Sequence, residues 1–187
     1  LTWEIETDVV YKPWRFIGVG AGFLFTPPID GNKTYSGEAR DKNLRWQIEE
    51  NRLMYLFAFR SGVYLYSPPV YLNHDHDVAL SFRVSPGVTI PLPPNLSTSV
   101  DYVPKDAIIH VPATSGEVSN SHAKACYYHV KFAMALEVER VSVLLGYTTS
   151  DYDLYGGSRN MIVEGQKIEL PRKKQAGTFF IGLTYDF

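Results

Sequence analysis

The sequence predicts an all-β protein folded as an antiparallel, up-and-down β-barrel of about eight strands. Three observations lead to this. The last eleven residues, Gly177 to Phe187, alternate strictly, with Phe179, Ile181, Leu183, Tyr185 and Phe187 on one face and Thr178, Phe180, Gly182, Thr184 and Asp186 on the other. The same period of two returns in segments along the whole chain. The links between those segments run alternately short and long, the rhythm of a barrel whose turns are brief at one end and extended at the other.

Composition narrows the class. The 187 residues predict a single domain, 1–187, and the formal charge of −2 gives no basic surface for nucleic acid. Aromatic residues make 14% of the chain, a content that suits the girdles of a membrane barrel. No apolar run approaches the ~20 residues of a spanning helix, since Phe16 to Phe25 is cut by three glycines. Cys126 is the only cysteine, which removes internal disulfides and thiolate metal clusters. The sequence opens at Leu1 with neither Met nor a leader, as a mature form or a fragment does.

Taken in order, Thr2 to Lys12 sets Trp3, Ile5, Val9 and Tyr11 against Glu4, Glu6 and Asp8. Lys12-Pro13-Trp14 reads as a turn. Arg15 to Phe25 then places Ile17, Val19, Ala21, Phe23 and Phe25 opposite Gly18, Gly20 and Gly22. These glycines are no phosphate loop, because Thr26-Pro-Pro forbids the helix that must follow. On an inward face they make room for large neighbours.

Residues 26–51 read as a long polar loop, with a helical turn around Leu44 to Glu50. Leu53 to Tyr66 is the least regular strand, and Ser61-Gly62 marks a bulge. Val78 to Ile90 alternates cleanly. Residues 91–121 form a second excursion, in which Tyr102 to Val111 pairs as an extension. His122 to Val138 and Val141 to Ser150 form a hairpin whose two-residue turn, Glu139-Arg140, pairs 138 with 141 and 136 with 143. A third excursion, 151–175, carries a hairpin at Val163 to Lys167, and the terminal strand follows. This makes seven strands where a closed antiparallel barrel has an even number, so an eighth is expected upstream of Leu1. The alternative is a strand within Leu96 to Val111.

The terminal strand resembles that of bacterial outer-membrane β-barrels, the porin-like and OmpA- or OmpX-like class, in its apolar alternation up to Phe187. The turn Tyr11-Lys-Pro-Trp14 followed by alternating glycines is similar to that of small porin-like barrels of Bacteroidetes. The resemblance implies a location in the bacterial outer membrane, contact with its lipid and lipopolysaccharide, and recognition of Phe179, Ile181, Leu183, Tyr185 and Phe187 by the barrel-insertion machinery.

Periodicity leaves open which face points inward; the aromatic terminus and the glycines favour lipid outside. The inward charges are then Glu4, Glu6, Asp8, Arg60, Arg83, Lys131 and Glu137, both signs in an interior that side chains fill, which predicts an ion-paired plug. Other chemistries have thinner support. His74 and His76, at i and i+2, are candidate metal ligands that lack an assignable third. His129 faces Ser150 as a candidate base and nucleophile for an acyl hydrolase, but the nearest carboxylate on that face, Glu137, lies about 25 Å along the strand. The His-x-Ser arrangement of outer-membrane deacylases is not found. A soluble lipocalin-like carrier requires the opposite polarity. The sequence therefore predicts a plugged barrel, without cofactor or catalytic site, that docks other envelope proteins or surface glycans through residues 26–51, 91–121 and 151–175.

Overall fold

The computed structural model describes residues 4–27, 33–75, 77–94, 96–106, 111–120, 123–170 and 177–185. The protein is all-β, built on one strongly curled antiparallel sheet. Its strands are β1 (Ile5–Trp14), β2 (Ile17–Phe25), β5 (Phe57–Tyr66), β7 (Val78–Leu92), β10 (Tyr127–Val138), β11 (Val141–Ser150) and β14 (Thr178–Tyr185). They lie side by side in chain order, and the two-residue β6 (Val70–Tyr71) adds to the margin of β7. Among the described residues no ladder joins β1 to β14, so the sheet is an open half-barrel.

The alternation read from the sequence sets the faces. Large apolar side chains point to the convex side and remain exposed, among them Val9, Phe23, Phe82, Leu145 and Ile181. Charged, hydroxyl and small residues line the concave side. The hairpin register is the one a two-residue turn dictates, with Val138 opposite Val141 and Leu136 opposite Val143. Glu139 takes the left-handed conformation (φ 52°) that this tight turn needs. The inward glycines hold space: a Cβ on Gly20 would lie 2.7 Å from the Tyr64 ring, and one on Gly146 would lie 2.4 Å from Phe180.

Several local expectations are corrected. Lys12-Pro13-Trp14 is not a turn; β1 runs through it, with an irregular register between Tyr11 and Trp14, and Arg15-Phe16 makes the reversal. Pro13 is tolerated because β1 is an outer strand of the sheet. Ser61-Gly62 is not a bulge, since the β5–β7 register is the same on both sides of it. The fifth strand starts at Phe57 rather than Leu53, because Leu53, Met54 and Tyr55 turn away into a separate core.

The largest correction concerns the three excursions. They are not loops. From 26–51 come β3 (Thr34–Glu38) and β4 (Leu44–Glu49), so the helical turn expected at 44–50 is a strand, followed by a 3₁₀ turn at Glu50–Leu53. From 91–121 come β8 (Ser97–Pro104) and β9 (Thr114–Ser119), while 151–175 carries, where the sequence placed it, the small hairpin β12 (Ile162–Val163) and β13 (Gln166–Lys167). Strands β3, β4, β8 and β9 pair in that order as a second antiparallel sheet. This cap closes on a hydrophobic core that takes Trp46, Ile48, Val100, Leu154 and Met161 from the excursions and Leu24, Ala58 and Tyr127 from the main sheet. The half-barrel therefore has one end sealed by packed side chains.

Candidate functional site

The concave face of the main sheet is the site the sequence points to, and it divides into two networks. The upper one gathers around Lys131 and Arg60. Glu4, just ahead of β1, and Glu6 and Asp8 within it occupy alternate positions, so this one segment aims three carboxylates inward. Arg60, from β5, donates through Nη1 to Glu6 Oε2 at 2.7 Å and approaches Glu4 Oε2 at 3.7 Å. Lys131, from β10, is bonded to Glu6 and lies 3.0 Å from Asp8 Oδ2. Tyr64 O–H donates to the same Asp8 oxygen at 2.7 Å. Arg60 Nε reaches the Thr89 hydroxyl at 3.3 Å, and Thr89 in turn lies 3.0 Å from His129 Nδ1.

The lower network is centred on Arg83, on β7. Its Nη2 donates to Glu137 Oε1 and to Ser142 Oγ, both at 3.1 Å, and its Nη1 to Thr184 on β14 at 3.4 Å. Ser81 O–H donates to the same Glu137 oxygen at 2.6 Å. The guanidinium also stacks over Tyr66, 5.3 Å from the ring centroid. The seven inward charges named from the sequence thus fall into two groups: Glu4, Glu6, Asp8, Arg60 and Lys131 above, Arg83 and Glu137 below. Ser81, Thr89, Ser142 and Thr184 have the polar-face parity the sequence assigns, but their role as partners of these charges, and Tyr64 altogether, escaped sequence reasoning.

Charge balance explains why these groups tolerate burial. Lys131, 7% exposed, and Arg60, 4% exposed, each meet carboxylates at hydrogen-bond distance, so neither buried cation is left unpaired. His129 and Ser150 are not bonded to each other as a base and nucleophile are. His129 and Ser150 are register partners, but the imidazole engages Thr89. Ser150 O–H donates to the Tyr128 carbonyl at 2.9 Å while its oxygen accepts from Tyr152 N–H at 3.0 Å. The candidate pairing of base and nucleophile is therefore not formed. The polarity is also the reverse of a lipocalin-like carrier, with charge on the concave side and apolar residues on the convex side.

Of the two candidate metal ligands, His74 sits in the turn between β6 and β7, and His76 lies outside the described residues. Among the described residues no three of His, Cys, Asp or Glu gather as a metal would require. Of the C-terminal set, Phe179, Ile181, Leu183 and Tyr185 all face outward and exposed, and Phe187 lies outside the described residues.

The cap is held by a different chemistry, hydrogen-bonded tyrosines and arginine clamps, among them Arg52 on Asp101 at 2.8 Å. Tyr55 O–H donates to the Pro94 carbonyl at 2.9 Å, and Tyr155 O–H is bonded to Glu50. Burial pushes the Tyr55 phenol up to about 12, with the Asp153 carboxylate adding to it. Tyr152 and Tyr155 are raised as well, again first by burial. Arg159 is clamped to Asp153 through two nitrogens, and Asn120 spans the Gly157 and Arg159 carbonyls at 2.9 and 2.7 Å. The cap's outer face, by contrast, carries Ser36, Glu49, Ser99, Ser115 and Glu117, all exposed. No protein-family model, no curated protein and no solved structure matches this chain.

Proposed function

We propose that the protein is a transmembrane β-barrel of the bacterial outer membrane, plugged along its interior, whose cap is a docking surface outside the cell for an envelope protein or a surface glycan. The observation that carries this is the polarity of the curled sheet. Every strand of the order β1 to β14 turns apolar residues outward, and Val9 and Ile181 are each 80% exposed. A water-soluble monomer rarely leaves so continuous an apolar surface bare, whereas hydrocarbon requires one. The aromatic residues support the same orientation. Tyr11 and Trp14 lie outward toward the short-turn end, and Phe57, Tyr128 and Phe179 lie outward at the cap end. The paired charges on the concave face favour a plug over a channel, and the hydroxyl- and carboxylate-rich outer face of the cap suits polar contacts.

The test is folding into lipid vesicles followed by electrophoresis with and without boiling. A heat-modifiable band and a steady absence of single-channel conductance are the expected results. A monomer that stays soluble and folded in buffer without detergent would overturn the membrane reading. For docking, replacing Ser36, Glu49 and Glu117 on the cap's outer face together by lysine should leave the heat-modifiable band intact and remove binding to envelope fractions; unchanged binding would reject that face as the contact surface.

A further inference from the structure

The cap sheet ends in a strand that is paired on one side. β9 is last in the order β3, β4, β8, β9, and its register with β8 runs unbroken from Thr114 opposite Tyr102 to Ser119 opposite Ser97. Just past it, the Asn120 amide donates to the Leu96 carbonyl in the same register. Bonds of an antiparallel ladder fall on alternate residues, so 114, 116 and 118 turn their backbone groups toward β8. Ser115, Glu117 and Ser119 turn theirs away, and all three residues are exposed. Among the described residues no strand pairs with this edge. The opposite edge differs: the Gln166 side-chain amide, on β13, donates to the Glu38 carbonyl of β3 at 3.3 Å.

A bare edge is normally blunted by proline, a bulge or charge. β9 has neither of the first two, and its single charged residue, Glu117, stands at the middle of the outward-facing set. That charge is unlike the other acids of the cap's outer face. Lys105 lies 3.7 Å from Glu38, and Arg52 lies 3.7 Å from Glu49 and 2.8 Å from Asp101. Glu117 takes a hydrogen bond from the Ser97 hydroxyl, and among the described residues no cation pairs with it.

The inner side of the same edge is apolar. Val118 and Tyr102 are partly buried and pack against the cap core. Gly116, lacking a side chain, lies beside the Tyr102 ring, which stands 3.3 Å from the place its Cβ would take. A strand added to β9 thus meets an uncompensated carboxylate on one face and apolar surface on the other.

Resting on the reading of the cap as a docking surface, we infer that β9 receives an extended segment of a partner protein as a fifth strand of the cap sheet. The segment carries lysine or arginine opposite Glu117, and apolar residues at the two adjoining positions, which turn inward to Val118 and Tyr102. Main-chain bonds to 115, 117 and 119 hold it, and the alternation of its side chains fixes the register. Glu117 also selects against a second copy of this chain, because two β9 strands paired about 117 set glutamate against glutamate.

The test adds capped heptapeptides to the folded 187-residue chain in detergent and follows amide exchange at 115, 117 and 119 together with native mass. The peptides alternate valine and threonine around a central lysine or a central glutamate. The lysine peptide should slow these three amides on the order of tenfold or more at saturation. It should bind about fivefold or more tighter than the glutamate peptide, the joint effect of an attractive and a repulsive cross-strand pair. Glu117→Lys should reverse that preference. N-methylation of the lysine and both threonines, whose amides face β9, should abolish the protection. Four outcomes overturn the inference: no slowing by either peptide; equal binding of the two; undiminished binding of the methylated peptide; and slowing without peptide on doubling of mass, meaning a second copy fills the edge. Binding to envelope fractions scores the docking reading separately. If the variant combining Ser36→Lys, Glu49→Lys and Glu117→Lys keeps that binding while the parent takes up the lysine peptide, the docking reading fails and the edge pairing stands. If the variant loses it and the peptide leaves the parent unchanged, the edge pairing alone fails.

Discussion

The ammonium of Lys131 stands between the carboxylates of Glu6 and Asp8, with Tyr64 completing the shell of Asp8. Removing it leaves Asp8 without a cation, held only by Tyr64, and leaves Glu6 to Arg60 alone in a side-chain-filled interior. Lys131→Met should therefore destabilise the protein toward the lower end of the ~3–5 kcal/mol typical of breaking a buried pair, because Glu6 and Asp8 keep some exposure. The double variant with Asp8→Asn should recover part of that loss. Urea midpoints in detergent check this, and a single variant indistinguishable from the parent would show that the network adds nothing to stability. Tyr55 makes a pH-dependent prediction for the cap. Its phenol is raised to about 12 in the folded protein, against ~10 for an unfolded tyrosine. The folded state then holds a proton that the unfolded state has lost, so this contribution is complete below pH ~10 and disappears as pH rises through about 12. Tyrosinate absorbance should appear together with protease cleavage in the cap, and Tyr55→Phe should reduce the late-titrating absorbance. Full tyrosinate formation near pH ~10 with an intact cap would contradict it.

At the level of elements, the strands of the main sheet were legible because one face of each must be apolar and the other must not, a constraint that writes period two over eight to fifteen residues. The cap was not legible for the opposite reason. Its strands are short, five residues in β3 and six in β4, and no single one carries a full pattern. Leu44 and Ile48 stand four apart, which reads as a helical turn, while the buried pair Trp46 and Ile48 is spaced for a strand. Only the core they share with Val100, Leu154 and Met161 decides between the two, and that core is made of segments distant in sequence. In the candidate site the acids of β1 and the bases of β5, β7 and β10 followed from parity alone. Their division into two networks did not, since it depends on the stagger between strands. The cap can be tested as a unit. Trp46, 3% exposed, packs at its centre, and Trp46→Ala should cost about 3–5 kcal/mol. Cleavage by protease should then concentrate between 33 and 56 while the seven-strand sheet keeps its heat-modifiable band. Simultaneous loss of both would mean that cap and sheet fold as one cooperative block.

For the molecule as a whole, the solvent of the convex face decides what a charge there costs. Leu145→Arg should destabilise the protein by about 2–4 kcal/mol in a bilayer and hardly at all in water, because Leu145 lies outward near the middle of β11. Folding yield into vesicles of increasing thickness measures this, and an unaffected yield would place the face in water. One feature of the cap reaches beyond stability. In a barrel whose surface loops are independent, each can be exchanged, lengthened or diversified without regard to the others. Here Trp46 and Ile48, Leu96 and Val100, and Leu154 and Met161 interlock, and Asn120 of the second excursion hydrogen-bonds the backbone of the third at Gly157. Sequence change in any one excursion is therefore coupled to the other two. Variants selected for new surface properties should accumulate substitutions as matched sets across all three segments, with the exposed hydroxyl- and carboxylate-bearing positions free to drift alone.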